Sequence, residues 1–440
     1  MLSKIHTAKK DEIAIKTLPH NTILPPTIPA MSTYLLQLLY NDTETPLSIL
    51  LHDLNIQPFS TNATTKESLL PTYDKLIMST TINAIITSYT PNTMTTQIIN
   101  HTFIKNIQQY YARGYKLLCS GTIIADKHYL KCAIQNGLYV KSLIASYCTI
   151  NDYDISSCTN ITYLNANYNL NITTCKPFAT SLRKISAESI AMLGMCSCIT
   201  DNGLRMCTHI EDLNVSGNSQ ITTCEPFATS LRILNACASG ITDNGLRLCR
   251  RIENLNARDN HNITTCAPFA TCLRILNASY RCGISDVGLR LCIHIENVDM
   301  QRNPKITTCS PFAKSLRILD TGCFFGKCGI TNSELRLCTR IENLNACDNP
   351  KITTCVPFAA SLRILNASDD CGITDSGLRL CARIENLNAR NNSKITTCAP
   401  FAESLRTLNA SGDCGISDDG LYLCMFIKNI DATDNSKITI

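Results

Sequence analysis

Residues 362–402 spell out one full period of the chain: Leu362-Arg-Ile-Leu-Asn-Ala-Ser368, Cys371-Gly-Ile-Thr-Asp-Ser-Gly-Leu-Arg-Leu-Cys381, Ile384-Glu-Asn-Leu-Asn-Ala-Arg390 and Ile395-Thr-Thr-Cys-Ala-Pro-Phe-Ala402. Two phrases alternate. The first, the A coil, starts at Leu231, Leu273, Leu316, Leu362 and Leu405; the second, the B coil, starts at Ile210, Ile252, Ile295, Ile341, Ile384 and Ile427. Successive B starts lie 42, 43, 46, 43 and 43 residues apart. One coil takes about half of that, which is the length at which stacked repeats build a solenoid.

Weaker copies extend the array upstream. Val140, Leu143, Ala145, Ile150, Ile155 and Cys158 keep the A spacing, and Ile161, Leu164, Ala166, Ile172, Cys175 and Phe178 keep the B spacing. With the A-like coil at Leu182, residues 140–440 hold about 14 alternating coils, seven of each kind. In L-x-x-L-x-A the apolar residues at positions one, four and six turn one way and the polar residues between them the other. That pattern predicts a short strand leading into a core, each buried Leu or Ile contributing roughly 1.5–3 kcal/mol. Strands of successive coils then form a parallel sheet. Fourteen of them span on the order of 60 Å at about 4.8 Å per strand.

The return half of each coil predicts a short helix on the convex side. Asp201, Asp243, Asp286, Asp375 and Asp418 stand where an N-cap accepts a backbone N–H. In B coils Pro226, Pro268, Pro311, Pro357 and Pro400 suit a first helical turn, and the following Phe227, Phe269, Phe312, Phe358 and Phe401 suit the core. Asn169, Asn218, Asn260, Asn303, Asn349, Asn392 and Asn435 repeat in one B turn, where a buried amide can bond the backbone of adjacent coils. Cys282, Cys328, Cys371 and Cys414 take the corresponding A turn.

Most of the 26 cysteines recur once per coil at apolar sites, so they read as buried reduced thiols. Zinc needs clustered ligands; Cys196-Ser-Cys198 comes nearest and has no second half. A disulfide framework belongs to secreted chains, and the stretch Met1-Leu-Ser-Lys-Ile-His-Thr-Ala-Lys-Lys-Asp-Glu12 has no apolar signal core. No apolar run reaches membrane-spanning length, so an intracellular, cytoplasmic and reducing setting is expected. The sequons at Asn277, Asn366 and Asn409 are strand residues repeated with the strand.

The Asn turn and the I-T-D-x-G-L-x-x-C phrase resemble leucine-rich repeats, the latter resembling the cysteine-containing class of F-box receptors in ubiquitin ligases. The resemblance covers residues 140–440 and implies an α/β solenoid, a horseshoe with a concave parallel sheet and short convex helices. It implies fold more than function, because this architecture serves many partners. The repeat phrasing and the Ile-, Asn- and Thr-rich composition are also similar to repeat families of large DNA viruses of amoebae or of protists.

Strand register makes surface columns readable. The second position alternates Arg232, Glu253, Arg274, Glu296, Arg317, Glu342, Arg363, Glu385 and Arg406, an ion-pair ladder that breaks at Lys428. The fifth position is Asn235, Asn256, Asn277, Asp299, Asp320, Asn345, Asn366, Asn388 and Asn409 along the expected concave face. The third alternates Ile233, Asn254, Ile275, Asn297, Ile318, Asn343, Ile364 and Asn386. A mixed amide and aliphatic surface suits a protein or peptide partner; mutual hydrogen bonding within the amide column is the competing explanation. A net charge of +5 with only Arg258 and Arg390 added to this face makes no phosphate-binding stripe, so no nucleic acid and no membrane partner is expected. An insertion, Thr321-Gly-Cys-Phe-Phe-Gly-Lys-Cys328, places Phe324 and Phe325 in a long turn, either as partner anchors or folded back on the solenoid.

Residues 1–139 carry no repeat. Residues 1–30 read as a flexible start and 31–139 as a helical cap. Within the latter, Leu70-Pro71, Leu76, Ile82, Ile86, Tyr89, Asn100-His-Thr-Phe103 and Ile107 resemble a degenerate F-box without its tryptophan. That resemblance implies a ubiquitin-ligase adaptor bound through residues 70–107, with the repeats holding a substrate. A plain interaction scaffold is the other reading. No catalytic constellation, phosphate loop or cofactor motif is present, so neither enzyme activity nor a metal or cofactor is expected. The apolar, uncapped coil at Ile427 predicts self-association through that end.

Overall fold

A computed structural model describes residues 121–124 (backbone only), 130, 140–190, 196–323 and 329–439. The chain divides into two compact units, Met1–Asn165 and Ala166–Ile440. The expectations for residues 1–30, for most of 31–139 including the adaptor segment 70–107, and for Phe324 and Phe325 lie outside the described residues.

In the first unit three strands are described: β1 (Gly121–Ile124), β2 (Val140–Ile144) and β3 (Tyr163–Asn165). β2 pairs in parallel with both others. β1 therefore adds a strand upstream of residue 140, inside the stretch expected to be a helical cap.

The second unit is an α/β repeat solenoid. Its strands are β4 (Lys184–Ser186), β5 (Asp212–Asn214), β6 (Ile233–Asn235), β7 (Asn254–Asn256), β8 (Ile275–Asn277), β9 (Asn297–Asp299), β10 (Ile318–Asp320), β11 (Asn343–Asn345), β12 (Ile364–Asn366), β13 (Asn386–Asn388), β14 (Thr407–Asn409) and β15 (Asn429–Asp431). Each pairs in parallel with the next, in chain order and without a register slip. Equal register lines up equivalent residues into continuous columns: Leu255 faces Leu234 on one side and Leu276 on the other.

Burial follows the strand pattern. In the coil at Leu231 the first, fourth and sixth residues, Leu231, Leu234 and Ala236, are buried, while Ile233 between them is exposed. The B-coil Pro opens a 3-10 turn such as Ala267–Phe269, and Phe178, Phe227, Phe269, Phe312, Phe358 and Phe401 are fully buried in the core.

The repeated turn asparagines do what a buried amide must to be tolerated. Asn260 Nδ2 donates to Ala236 O and Ile241 O, both at 3.1 Å, and its Oδ1 accepts Asn262 N at 3.0 Å. Asn303, Asn392 and Asn435 repeat this across their own coils. Each amide thus joins the carbonyls of the preceding coil to the turn of its own.

The A-coil aspartates depart from the expected N-cap role. The N-cap residues are Thr200, Thr242, Ser285, Thr374 and Ser417, and each aspartate begins the helix one residue later, as in Asp243–Leu246. Their carboxylates reach the next coil instead: Asp286 Oδ1 accepts Thr307 N at 2.8 Å and Thr308 N at 3.2 Å, and Oδ2 accepts the Thr307 hydroxyl at 2.6 Å. Asn332 takes the same place and accepts Thr353 N at 2.9 Å. Helix starts and inter-coil clamps favour the same residue types, so local pattern cannot separate them.

One such clamp gives a pH prediction. The Thr439 hydroxyl and backbone N–H donate to Asp418 and lower its carboxyl below the ordinary value. The folded chain therefore favours the carboxylate: the clamp is fully present above the unfolded pKa of about 3.9 and is lost as pH falls through the lower folded value. Carboxyl NMR should show Asp418 titrating below a peptide reference, and titration at or above that reference would disprove the clamp.

Most of the described coils also turn through the left-handed region at one equivalent residue. Tyr147, Tyr168, Asp259, Tyr280, Arg302, Asp348, Asp369, Asn391 and Asp434 have φ between 53° and 61°, Ala238 has φ 48°, and Gly217 and Gly412 take the place in their own coils. Asp and Asn tolerate this conformation; Tyr280 and Arg302 occupy it at a cost, where local packing holds them.

Candidate functional site

The sheet face of the second unit carries the residues singled out for partner binding. The fifth-position side chains turn out to have a structural duty first. Asn235 Oδ1 accepts Cys237 N at 3.2 Å, Asn256 Oδ1 accepts Arg258 N at 3.1 Å, and Asn388 Oδ1 accepts Arg390 N at 3.1 Å. Asn277, Asp299, Asp320, Asn345, Asn366 and Asn409 bond the amide two residues on in the same way. These Asx turns hold the bend that precedes the left-handed residue.

What remains of the column divides in two. Asn345 Nδ2 donates to Asp320 Oδ2 at 3.0 Å, Gln301 Nε2 donates to the same oxygen at 2.6 Å, and Asn409 Nδ2 donates to Asp431 at 3.2 Å. By contrast, the Nδ2 groups of Asn235, Asn256, Asn277, Asn366 and Asn388 find no hydrogen-bond partner among the described residues. Asn254, Asn297, Asn343 and Asn386, at the third strand position, are half-buried and also make no side-chain hydrogen bond there. Between them stand Ile233, Ile275, Ile318 and Ile364, each 40–43 % exposed. Free amide donors and acceptors thus alternate with exposed methyl groups.

The edge of this face is charged but internally compensated. Arg232–Glu253, Arg317–Glu342 and Arg363–Glu385 are ion pairs, and Arg274–Glu296 is a looser one at 3.8 Å. Such exposed pairs are worth about 0–1 kcal/mol each. Where Lys428 breaks the alternation, Arg406 donates to Glu403 O at 2.9 Å and lies 5.3 Å from the Phe426 ring.

Beyond the strands, the turn residues that vary from coil to coil bring together groups the repeat itself conceals. Arg258 lies 4.0 Å from the centroid of the Tyr280 ring and 3.5 Å from Asp259, while Arg302 approaches the same ring at 5.1 Å. Nearby in the columns, burial pushes the Asp299 carboxyl above its ordinary value. Arg390 is exposed. One coil pair further, the Cys347 thiol lies 3.5 Å from Asp348 Oδ2 and 3.4 Å from Asp369 Oδ2, and burial pushes that thiol up to about 12. It is the one group of three metal-capable donors among the described residues, and Asn391 Nδ2 also donates to Asp369 at 3.0 Å. The signal for both clusters was in the turn places that vary from coil to coil, the two between Ala and Asn in B coils and the one after Asn-Ala-Ser in A coils, where the repeat imposes no residue.

Among the described residues 22 cysteines are free. Cys323, in the coil with the insertion, is disulfide-bonded and so departs from the reduced-thiol reading.

A search of protein-family models finds no match to this chain, and a search of curated proteins finds none either. A repeat solenoid with a long regular sheet face is compatible with a protein-interaction scaffold. No helix among the described residues is long and apolar enough to cross a membrane.

Proposed function

We propose that this chain is a non-catalytic interaction scaffold of leucine-rich-repeat type that holds a protein or peptide on the sheet face of its repeats. The supporting observation is the row of unpartnered amide groups on that face, alternating with exposed isoleucines. Amides offer both donors and acceptors, which matches a polypeptide's own backbone and side chains. The ion pairs beside them are mutually satisfied, so little positive charge is left for phosphate. Among the described residues, nothing on this face pairs a nucleophile with a base.

The test uses Asn254, Asn343 and Asn386, which project from the face and support no turn. Replacing all three with Arg should leave circular dichroism and thermal unfolding unchanged. Capture of the native partner from the source cells should fall by at least tenfold, the scale at which interface anchors act. Equal recovery by the variant and the parent chain would remove the face as the binding surface. The ubiquitin-ligase reading belongs to residues 70–107. It predicts that the adaptor is recovered by the full chain and lost when residues 1–110 are deleted.

A further inference from the structure

The coil stacking brings cysteines together in pairs. The cysteine closing each I-T-T-C phrase is brought beside the cysteine closing the G-L-x-x-C phrase of the A coil that follows: Cys175 with Cys207, Cys224 with Cys249, Cys266 with Cys292, Cys309 with Cys338, Cys355 with Cys381 and Cys398 with Cys424. All are buried except Cys424, which is partly exposed.

Backbone contacts create the arrangement. Cys224 N donates to Gly245 O at 3.0 Å, and Cys266, Cys355 and Cys398 donate to Gly288, Gly377 and Gly420 in the same way. A Cβ on Gly245 would lie 2.1 Å from Thr222 O, so in this coil the close approach of the two backbones requires glycine. In the coil at Leu316 Glu334 replaces the glycine, yet Cys309 and Cys338 still meet.

We propose that these six pairs are an oxidation-sensitive ladder in which each pair closes to a disulfide that clips a B coil to the following A coil. A disulfide is neutral and apolar, so it fits the buried site that holds each pair. The neighbouring B-coil thiol lowers the pKa of the A-coil member, as at Cys249 and Cys424, which makes it the attacking sulfur.

With a low-molecular-weight disulfide as oxidant, the chemistry balances. The A-coil thiolate attacks one sulfur of the oxidant; its S–S bond breaks, a mixed disulfide forms, and the released thiolate takes up a proton. The B-coil thiol then loses its proton to solvent and attacks the A-coil Sγ, forming the intrachain disulfide and expelling the second small thiol. Two protein thiols are oxidised and one disulfide is reduced to two thiols. Because Cys424 is the partly exposed member, the pair Cys398–Cys424 should close first, and the buried pairs should follow as coils open locally.

The full chain is incubated with oxidised glutathione, residual thiols are alkylated after unfolding, and a non-reduced digest is mapped by mass spectrometry. Alkylatable thiols should disappear in twos, with linked peptides joining the members of each pair, Cys398–Cys424 earliest. Reductant should restore all of them. Retention of the full thiol count overturns the proposal. So does linkage directed mainly to the partly exposed Cys196, Cys198, Cys237 or Cys272. As a second check, Cys292→Ala should abolish the Cys266 link alone, leaving Cys266 alkylatable; efficient linkage of Cys266 elsewhere would show that proximity does not direct the chemistry.

Discussion

Replacing Asn260 with Leu is expected to cost roughly 3–6 kcal/mol of stability, because three backbone groups lose their partner at once and each unsatisfied buried group costs about 1–3 kcal/mol. The side chain is 1 % exposed and bonds Ala236 O, Ile241 O and Asn262 N. Leucine has about the right size but no polar atom, and water does not reach the site to replace the amide. The carbonyls belong to the preceding coil, so the substitution should also loosen the junction between coils. Urea unfolding of Asn260→Leu against the parent chain measures the cost, with Asn254→Leu on the sheet face as the control. A loss below about 1 kcal/mol for Asn260→Leu would show that the ladder is packing alone.

The second large effect is expected at Phe269→Ala. The ring is fully buried, and removing a buried phenylalanine leaves a cavity that costs about 3–5 kcal/mol. In a solenoid each coil contacts only its neighbours, so the damage should be local before it is global. Hydrogen exchange should accelerate in the coils on either side of Phe269 while the coil at Leu405 keeps its protection. Uniform acceleration along the whole array would instead mean that the second unit opens as one cooperative body. Ile275→Ala, at an exposed strand position, should move stability by less than about 1 kcal/mol.

The phenylalanine and the asparagine were both legible in the repeat, for different reasons. Phe269 follows a proline at the same place in each B coil, and an aromatic repeated beside apolar neighbours has few places to go except the core. Asn260 recurs next to a small residue and a turn, where a polar side chain must be either solvated or fully bonded. The aspartates' role is not legible in the sequence because Asp243 satisfies two descriptions at once, a helix start and a clamp on the following coil. The sheet-face amides were read as one column, yet their two ends work separately: oxygen inward to the turn, nitrogen outward or to a neighbour.

From the sequence by itself came the coil length, the strand with its buried first, fourth and sixth residues, and the parallel order of the coils. These depend on residues a few places apart, whose relative directions are set by the backbone of a strand or a turn. Only the tertiary structure decided which side chains meet across coils: Asp286 with Thr307, Cys224 with Cys249, Arg258 with Tyr280, Cys347 with Asp369. Those partners lie a coil or more apart along the chain, and their meeting depends on the stagger of one coil on the next. That stagger is fixed by packing and close backbone approach, such as Gly245 against Thr222, and no local periodicity encodes it.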